Sequence, residues 1–283
     1  MMGGWGEDSV PNGALDDIAY LSRSESRIRI LDAIATEPFP RSELEEMTGI
    51  ARTTVGRIIN EFEERGWARR TPDGSYTATP PGERMLAEFK PFVQSVQVIR
   101  DLGDLVAWLP IDEVSIDLRH FAGVTIHRPE PADPMSTVEE FTRRIDDASE
   151  FQCLVRIAPP IPFEQKMRDG VVDRGMETNH VITNEEFDYL LDDPERVARW
   201  REYLEAGANV YRYDGEIPCN IFVFDDTVII TNTTSEFGDP HVGIESGNEE
   251  VLLWAHRVIE TYRREAERLD STAFSINSGG SEE

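Results

Sequence analysis

Between residues 22 and 79 four punctuated segments follow one another in an order that leaves few folds open. "SRSESRIRILDAIAT" places Ile28, Ile30, Leu31 and Ile34 at helical spacing, with Ser24 or Ser26 suited to cap the helix. "PFPRSELEEMTGI" reads as a short helix from Arg41 to about Thr48, with Ser42 as a candidate N-cap and Gly49 as its stop. In "ARTTVGRIINEFEERGW" the apolar residues Val55, Ile58, Ile59 and Phe62 form one helical face, and Gly66 closes the segment. "WARRTPDGSYTAT" is a hairpin, because Pro72-Asp73-Gly74 supplies turn chemistry between two short runs.

Helix, helix, helix and hairpin within about sixty residues is the order of a winged helix-turn-helix, an architecture that lays its third helix in a DNA groove. The polar residues of that helix suit the task. Arg52 and Arg57 can each give paired hydrogen bonds to guanine or phosphate, and Thr53 and Thr54 suit phosphate or a thymine methyl. Arg41 and Ser42 open the preceding helix where a phosphate would lie, and Arg69 and Arg70 enter the wing. The bland reading is that these arginines balance nearby Glu.

Charge makes the segment unusual in its chain. The protein carries a formal net charge of -27 over 283 residues, and its only lysines are Lys90 and Lys166. Acid spread along the whole chain suits a protein of multimolar salt, where a screening length of ~3 Å suppresses self-repulsion. Yet residues 51 to 60 hold two Arg and no acid. The acid excess stops at this helix.

From Pro81 to Leu109 the residues Met85, Phe89, Phe92, Val96, Ile99 and Val106 recur at steps of four and three, with Gly103 in the missing place. This is a heptad-like seam that Pro91 should kink or divide, and it suits either a helix packed on its own domain or a dimerisation helix. Beyond Leu109 strand-like runs alternate with helical ones, as expected of an α/β domain. "IDEVSIDLRHFAGVTIHRP" suggests strands, "EEFDYLLDDPERVARWREYLEAG" a helix, and "NEEVLLWAHRVIETYRREAERLD" a terminal helix. The expected division is a flexible segment 1–19, a DNA-binding domain 20–80, a linker or dimerisation helix 81–109, an α/β effector domain 110–270 and a disordered tail 271–283.

No run approaches a membrane span and the first residues lack the pattern of a signal peptide, so a cytoplasmic protein is expected. The histidines His120, His127, His180, His241 and His256 show no metal-ligand spacing, and neither a metal nor a cofactor is expected. Cys153 and Cys219 both fall on strand-like runs, as buried apolar residues or as a redox pair.

The stretches "PRSELEEMTGIARTTVGRIINEFEERGW", "YTATPPGERM", "MRDGVVDRG", "GANVYRYDGEIPCNIFVFDDTVII" and "GIESGNEEVLLWAHRVIETYRREAERL" resemble archaeal winged-helix transcription regulators, numerous in haloarchaea. Their C-terminal part is related to a regulator of methanogenesis genes and to TrmB-type effector domains, which look like a phospholipase D half-domain. The resemblance implies binding of double-stranded operator DNA by a homodimer and sensing of a small molecule by the second domain. In the phospholipase motif a His, a Lys two residues on and a following Asp do the chemistry. Setting Asp225 at the Asp position puts Asn220 at the Lys position and Pro218 at the His position, so the catalytic set is missing. The alternative function, a hydrolase or phosphodiesterase with an accessory helix-turn-helix, loses its nucleophile on this alignment. Strand ends and the loops beyond them are where an effector should sit, which makes Arg174, Tyr211, Arg212, Asn220, Asn232 and Thr234 the candidate contacts.

Overall fold

The computed structural model describes residues 12–130, 132–133, 135–157, 159–231 and 242–274. The chain divides into two compact units, Met1–Val96 and Gln97–Glu283.

In the first unit α1 (Asn12–Ser22), α2 (Glu25–Thr36), α3 (Arg41–Thr48) and α4 (Arg52–Glu64) precede a hairpin of β1 (Ala68–Arg70) and β2 (Tyr76–Ala78). α5 (Pro80–Leu102) follows and carries the boundary between the units. Ile30, Leu31 and Ile34 of α2, Leu44 of α3 and Val55, Ile58, Ile59 and Phe62 of α4 are all buried, as their helical spacing predicts. With Trp67, Tyr76, Leu86 and Phe89 they form one core. Gly49, at φ 67, ends α3, and Gly66, at φ 72, lets the Trp67 amide return to the Phe62 carbonyl at 2.8 Å. Ser24 occupies the N-cap of α2, whereas Pro40 rather than Ser42 stands at the N-cap of α3. Pro40 fixes the backbone angle at that point, which leaves Ser42 inside the first turn.

Two expectations for this unit need correction. Residues 12–19 belong to a helix, α1, whose last turn packs on the first-unit core. Tyr20 and Leu21 are buried, the Tyr20 ring meets Trp67 edge-on at 5.9 Å, and its hydroxyl donates to Glu61 Oε2 at 2.5 Å. Nor does Pro91 divide α5, which runs on until Gly103, at φ 55, turns it into a 3-10 segment, Gly103–Trp108. A close approach fixes the start of α5. A Cβ at Gly82 would lie 2.1 Å from the Trp67 carbonyl oxygen, so only glycine fits there.

The second unit is built on an eight-stranded sheet. Its elements are β3 (Thr125–His127), α6 (Ser136–Asp147), β4 (Glu150–Val155), α7 (Ile161–Arg174), β5 (Glu177–Thr183), α8 (Asn184–Leu191) and α9 (Pro194–Glu205). Then come β6 (Asn209–Tyr213), β7 (Asn220–Phe224), β8 (Thr227–Thr231), β9 (Gly243–Ser246), α10 (Glu249–Glu265) and β10 (Glu267–Leu269). The strand order is β10-β6-β5-β4-β7-β8-β9-β3, with β4, β5 and β6 parallel and the other pairings antiparallel. Successive strand residues face opposite sides. Cys153, Val155, Ile182 and Phe224 join Phe163, Met167, Phe187 and Trp200 in a core under α6 to α9. Leu154, Val181, Ile221 and Val223 join Trp254, Val258 and Ile259 in a core under α10. The unit is therefore a three-layer α/β/α arrangement.

Here too the sequence expectations shift at the joints. Residues 111–129 yield only β3. Ile111, Val114 and Ile116, in turn and loop, and Leu118, which opens the 3-10 turn Leu118–Phe121, pack on the α10-side core, so their alternation reflects burial without strand pairing. The helix expected over residues 185–207 splits in two. The Asp193 carboxylate accepts the Glu195 and Arg196 amides, and Pro194 takes the first helical position. The terminal helix stops at Glu265, and Glu267–Leu269 pairs with β6. Within the expected disordered tail, Ser271–Phe274 forms a 3-10 turn with Phe274 fully buried.

Candidate nucleic-acid interface

α4 turns its apolar stripe inward, so the opposite stripe of Thr53, Gly56, Arg57 and Asn60 faces outward. Arg52 and Thr53 are exposed and Thr54 is half-buried at the first turn, where Ala51 supplies no side-chain cap. The first amides of the helix thus face an open approach, which suits a phosphate. Arg57 pairs with Glu61 one turn on, with Nη1 3.0 Å from Oε1, and its side chain stays more than half exposed. Arg52 has no ion-pair partner among the described residues.

Arg41 plays an internal part as well. Its Nη2 donates to Asn60 Oδ1 at 2.6 Å, and its guanidinium lies 5.0 Å over the Tyr76 ring. It ties α3 to the exposed face of α4 and to the wing. Ser42 is exposed beside it. In the wing, Arg69 and Arg70 are exposed, and Arg70 Nε reaches the Gly74 carbonyl at 3.5 Å. The wing tip is rigidified by Asp73, whose carboxylate accepts Ser75 Oγ at 2.8 Å. Hydrogen bonds from Thr71 and Ser75 hold that carboxyl below its ordinary range, so the tip is anionic. Asn60 is a further candidate on this face; its place seven residues after Thr53, on the same stripe, is the signal in the sequence.

Along α5 and the 3-10 segment after it the seam is shared out. Met85 and Phe89 pack into the first core and Val106 against the second-unit core under α10. Phe92, Val93, Val96 and Ile99 remain exposed, by 56%, 42%, 38% and 43%, as a stripe with nothing covering it among the described residues.

The second-unit candidates are engaged internally. Arg174 Nη2 donates to the Ile145 carbonyl at 2.7 Å, Arg212 Nη2 to Glu267 Oε2 at 2.6 Å, and Arg263 to the Tyr211 hydroxyl at 3.3 Å. Asn220 is buried; it accepts the Arg156 amide at 2.9 Å and donates to Thr231 Oγ1 at 3.1 Å. Asn232, Thr234 and His241 lie outside the described residues. Asp225, at φ 43, accepts the Ser149 hydroxyl at 2.8 Å and the Glu150 amide at 2.9 Å. Burial raises its pKa, but those hydrogen bonds outweigh it and hold the carboxyl below its ordinary value. Asn220 and Asp225 both spend their polar groups on joining strands. Cys153 and Cys219 belong to the two different cores, on opposite faces of the sheet, so they cannot pair with each other within the unit.

A polar cluster that no sequence spacing announced lies under α7 to α9. His180 is buried between Cys153 Sγ, 2.9 Å from Nδ1, and the Tyr203 hydroxyl at Nε2. Burial lowers its pKa to about 3, which keeps the imidazole neutral. Glu164 is buried between two guanidiniums, with Arg199 Nη1 2.7 Å and Arg196 Nη1 3.2 Å away. Glu186 is also buried, but neither of its carboxylate oxygens has a hydrogen-bond partner. Its spacing from Thr183 reads as a capping box, in which Glu186 would bond back to the Thr183 amide. Only half of the box forms. Thr183 Oγ1 accepts the Glu186 amide at 3.1 Å, while Thr183 itself lies in register with Tyr213 at the end of the β5–β6 ladder.

The chain is thus a mixed α/β protein whose first unit has the element order of a winged helix and whose second is an α/β/α sandwich. Residues 15–101 match the family described as the HVO_A0261 N-terminal domain, and residues 134–265 match the middle domain of the methanogenesis regulatory protein FilR1. No curated protein matches the chain in sequence. Among solved structures, the chain is similar to TrmBL2, described as an archaeal chromatin protein, at 14% identity and TM-score 0.42, over 90% of this chain and 99% of that one. It is similar to the phospholipase D family member Nuc from Salmonella typhimurium at 12% identity and TM-score 0.40, over 52% of this chain and 99% of that one. With the multiple antibiotic resistance repressor MarR the identity is 18% and the TM-score 0.27, over 38% and 91%.

Proposed function

We propose that the protein is a DNA-binding transcription regulator. The first unit acts as a winged helix-turn-helix on double-stranded operator DNA, and the second senses a small molecule. The observation that carries the reading is the outward stripe of α4, with Arg52, Thr53, Arg57 and Asn60 opposite a fully buried apolar stripe, in a stretch free of acid. Arg52 and Arg57 read base edges or phosphate, and Arg69 and Arg70 of the wing reach the neighbouring backbone. The match of residues 134–265 to the middle domain of a methanogenesis regulatory protein supports the same reading.

The regulator works as a homodimer through Phe92, Val93, Val96 and Ile99, because operator half-sites need two recognition helices at fixed spacing. An effector that binds one conformation of the second unit better shifts the population of dimers with the correct spacing, through α5. Genome-wide occupancy of the wild type and of the double variant Arg52→Ala with Arg57→Ala tests the reading. Occupancy should collapse in the variant; unchanged occupancy would point to a winged helix that engages protein instead.

A further inference from the structure

Two polar side chains on the outward stripe of α4 are held by residues of other elements, and the hold on Arg57 runs through the core. Tyr20, at the end of α1, donates its hydroxyl to Glu61 Oε2 at 2.5 Å, and Arg27 Nη2 of α2 lies 3.8 Å from the same oxygen. That leaves Glu61 Oε1 for Arg57, whose Nη1 donates to it at 3.0 Å. Tyr20 is itself fixed: it is buried, and the guanidiniums of Arg27 and Arg65 lie 3.8 and 4.1 Å from its ring centre. The Tyr20 hydrogen bond first, then those of the arginines, outweigh partial burial and hold the Glu61 carboxyl below its ordinary range. Glu61 is therefore an ionised anchor beside Arg57.

This arrangement limits what Arg57 can contact. A free arginine loses much rotamer entropy on binding, whereas a guanidinium held at one corner presents the rest of its fork in a set direction. A phosphate brought to that fork would also approach the Glu61 carboxylate, and the Arg57 charge is already matched there. A neutral base edge meets no such repulsion. Among base edges, a fork of two donors fits the one that sets two acceptors side by side, O6 and N7 of guanine. Asn60, on the same stripe, has the same bias. Arg41 Nη2, which can only donate, takes its Oδ1, and the Nδ2 donors are left without partners among the described residues.

We infer that Arg57 reads a guanine in the major groove, and that Tyr20, acting through Glu61, is a positioning residue for that contact. The inference rests on the operator-binding reading above and adds the base read at this position. Tyr20 belongs to the core of the first unit and is not on the outward stripe. Removing its hydroxyl keeps the ring and its packing but loosens Glu61, and with it Arg57. The loss then shows as discrimination at one base, with the fold intact. A phosphate contact behaves differently: its removal weakens binding to all sequences alike and lowers the salt slope by about one.

The test is selection from a random-sequence duplex library by the full chain. Anisotropy titrations follow, on the selected duplex and on versions with each guanine changed to adenine in turn. Arg57 lies outside the core and alanine favours a helix, so Arg57→Ala keeps the fold. That variant should cut discrimination at one guanine about tenfold, spare the other positions, and leave the slope of log affinity against log salt unchanged. Tyr20→Phe should cut the same discrimination about threefold, the share of one hydrogen bond, and should have no effect on it once Arg57 is alanine. Selected guanines that are all indifferent to Arg57→Ala, or a salt slope that falls by about one with it, would overturn the guanine contact. A Tyr20→Phe effect that persists without Arg57, or no effect at all, would overturn the positioning role. A wild type that binds no duplex overturns the regulator reading and this inference together. A selected site without an Arg57-dependent guanine overturns this inference and leaves that reading standing.

Discussion

Arg41 Nη2 donates to Asn60 Oδ1 at 2.6 Å, so a side chain at the start of α3 braces the exposed face of α4. The same guanidinium stacks over Tyr76 of the wing. Arg41 and Arg52 therefore separate in their effects. Arg41→Ala should cost the first unit about 1–2 kcal/mol through a lost hydrogen bond and cation–π contact, besides weakening DNA binding. Arg52→Ala should leave stability within about 0.5 kcal/mol and weaken operator binding about tenfold. Thermal denaturation beside fluorescence anisotropy on one operator reads both.

Phe92 and Val96 are one turn apart and exposed on α5. Changing both to Glu should turn a dimer into a monomer while leaving the melting of the first unit within about 0.5 kcal/mol, since neither side chain is in its core. Light scattering decides the oligomeric state. A wild-type monomer, free and on DNA, would remove the dimer from the proposal.

Asp225 combines a left-handed backbone with a carboxylate that holds the start of β4. Asp225→Ala should destabilise the second unit by about 1–3 kcal/mol, from the lost hydrogen bonds and the left-handed strain. Asp225→Gly should recover about 1 kcal/mol of that by relieving the strain alone. Denaturant titration of the two variants gives the difference. A phosphodiester panel run alongside should show no turnover that depends on Asp225.

Burial and the Glu164 charge raise the Glu186 pKa in the folded protein above the ordinary value of 4.5. Its proton is then held more tightly folded than unfolded. The stability this contributes is complete below about pH 4.5 and declines as pH rises through the raised value. Carboxylates with depressed values, Asp225 among them, slope the opposite way, so the comparison must be with Glu186→Gln. The variant should match the wild type in acid and exceed it above neutral pH, as measured by melting temperature across pH.

Binding to DNA should depend weakly on salt. The recognition stretch offers few cations, with Arg57 shared with Glu61, so few counterions are released. The fall of log affinity with log KCl should be shallower than for a basic winged helix of equal size. A steep loss between roughly 1 and 3 M KCl would contradict this.

The first unit was legible because each of its signals is local: buried stripes at helical spacing, and Gly49 and Gly66 at positive φ. The buried face of α4 follows directly from Val55, Ile58, Ile59 and Phe62, and its outward stripe follows as the complement. What escaped depends on distant partners. Tyr20 anchors α1 through Glu61, forty-one residues away, and no window of sequence contains both. The ends of the second unit escaped for the same reason, since Glu267–Leu269 becomes a strand only by lying beside β6. Glu186 was hidden by a spacing that reads as an ordinary helix cap. It shares a cavity wall with Phe163, Trp200 and Phe222, which come from three other elements.

The contact between Gly82 and the Trp67 carbonyl joins the first turn of α5 to the residue just before β1 with no side chain between them. Thr79 strengthens the joint: its amide donates to that carbonyl at 2.9 Å, and its hydroxyl accepts the Gly82 amide at 3.3 Å. Backbone against backbone leaves no rotamer to absorb a displacement. A shift of the wing relative to the opening of α5 must therefore be taken up by main-chain torsions, and β2 is bound just as directly to Phe39, whose amide and carbonyl both bond Tyr76.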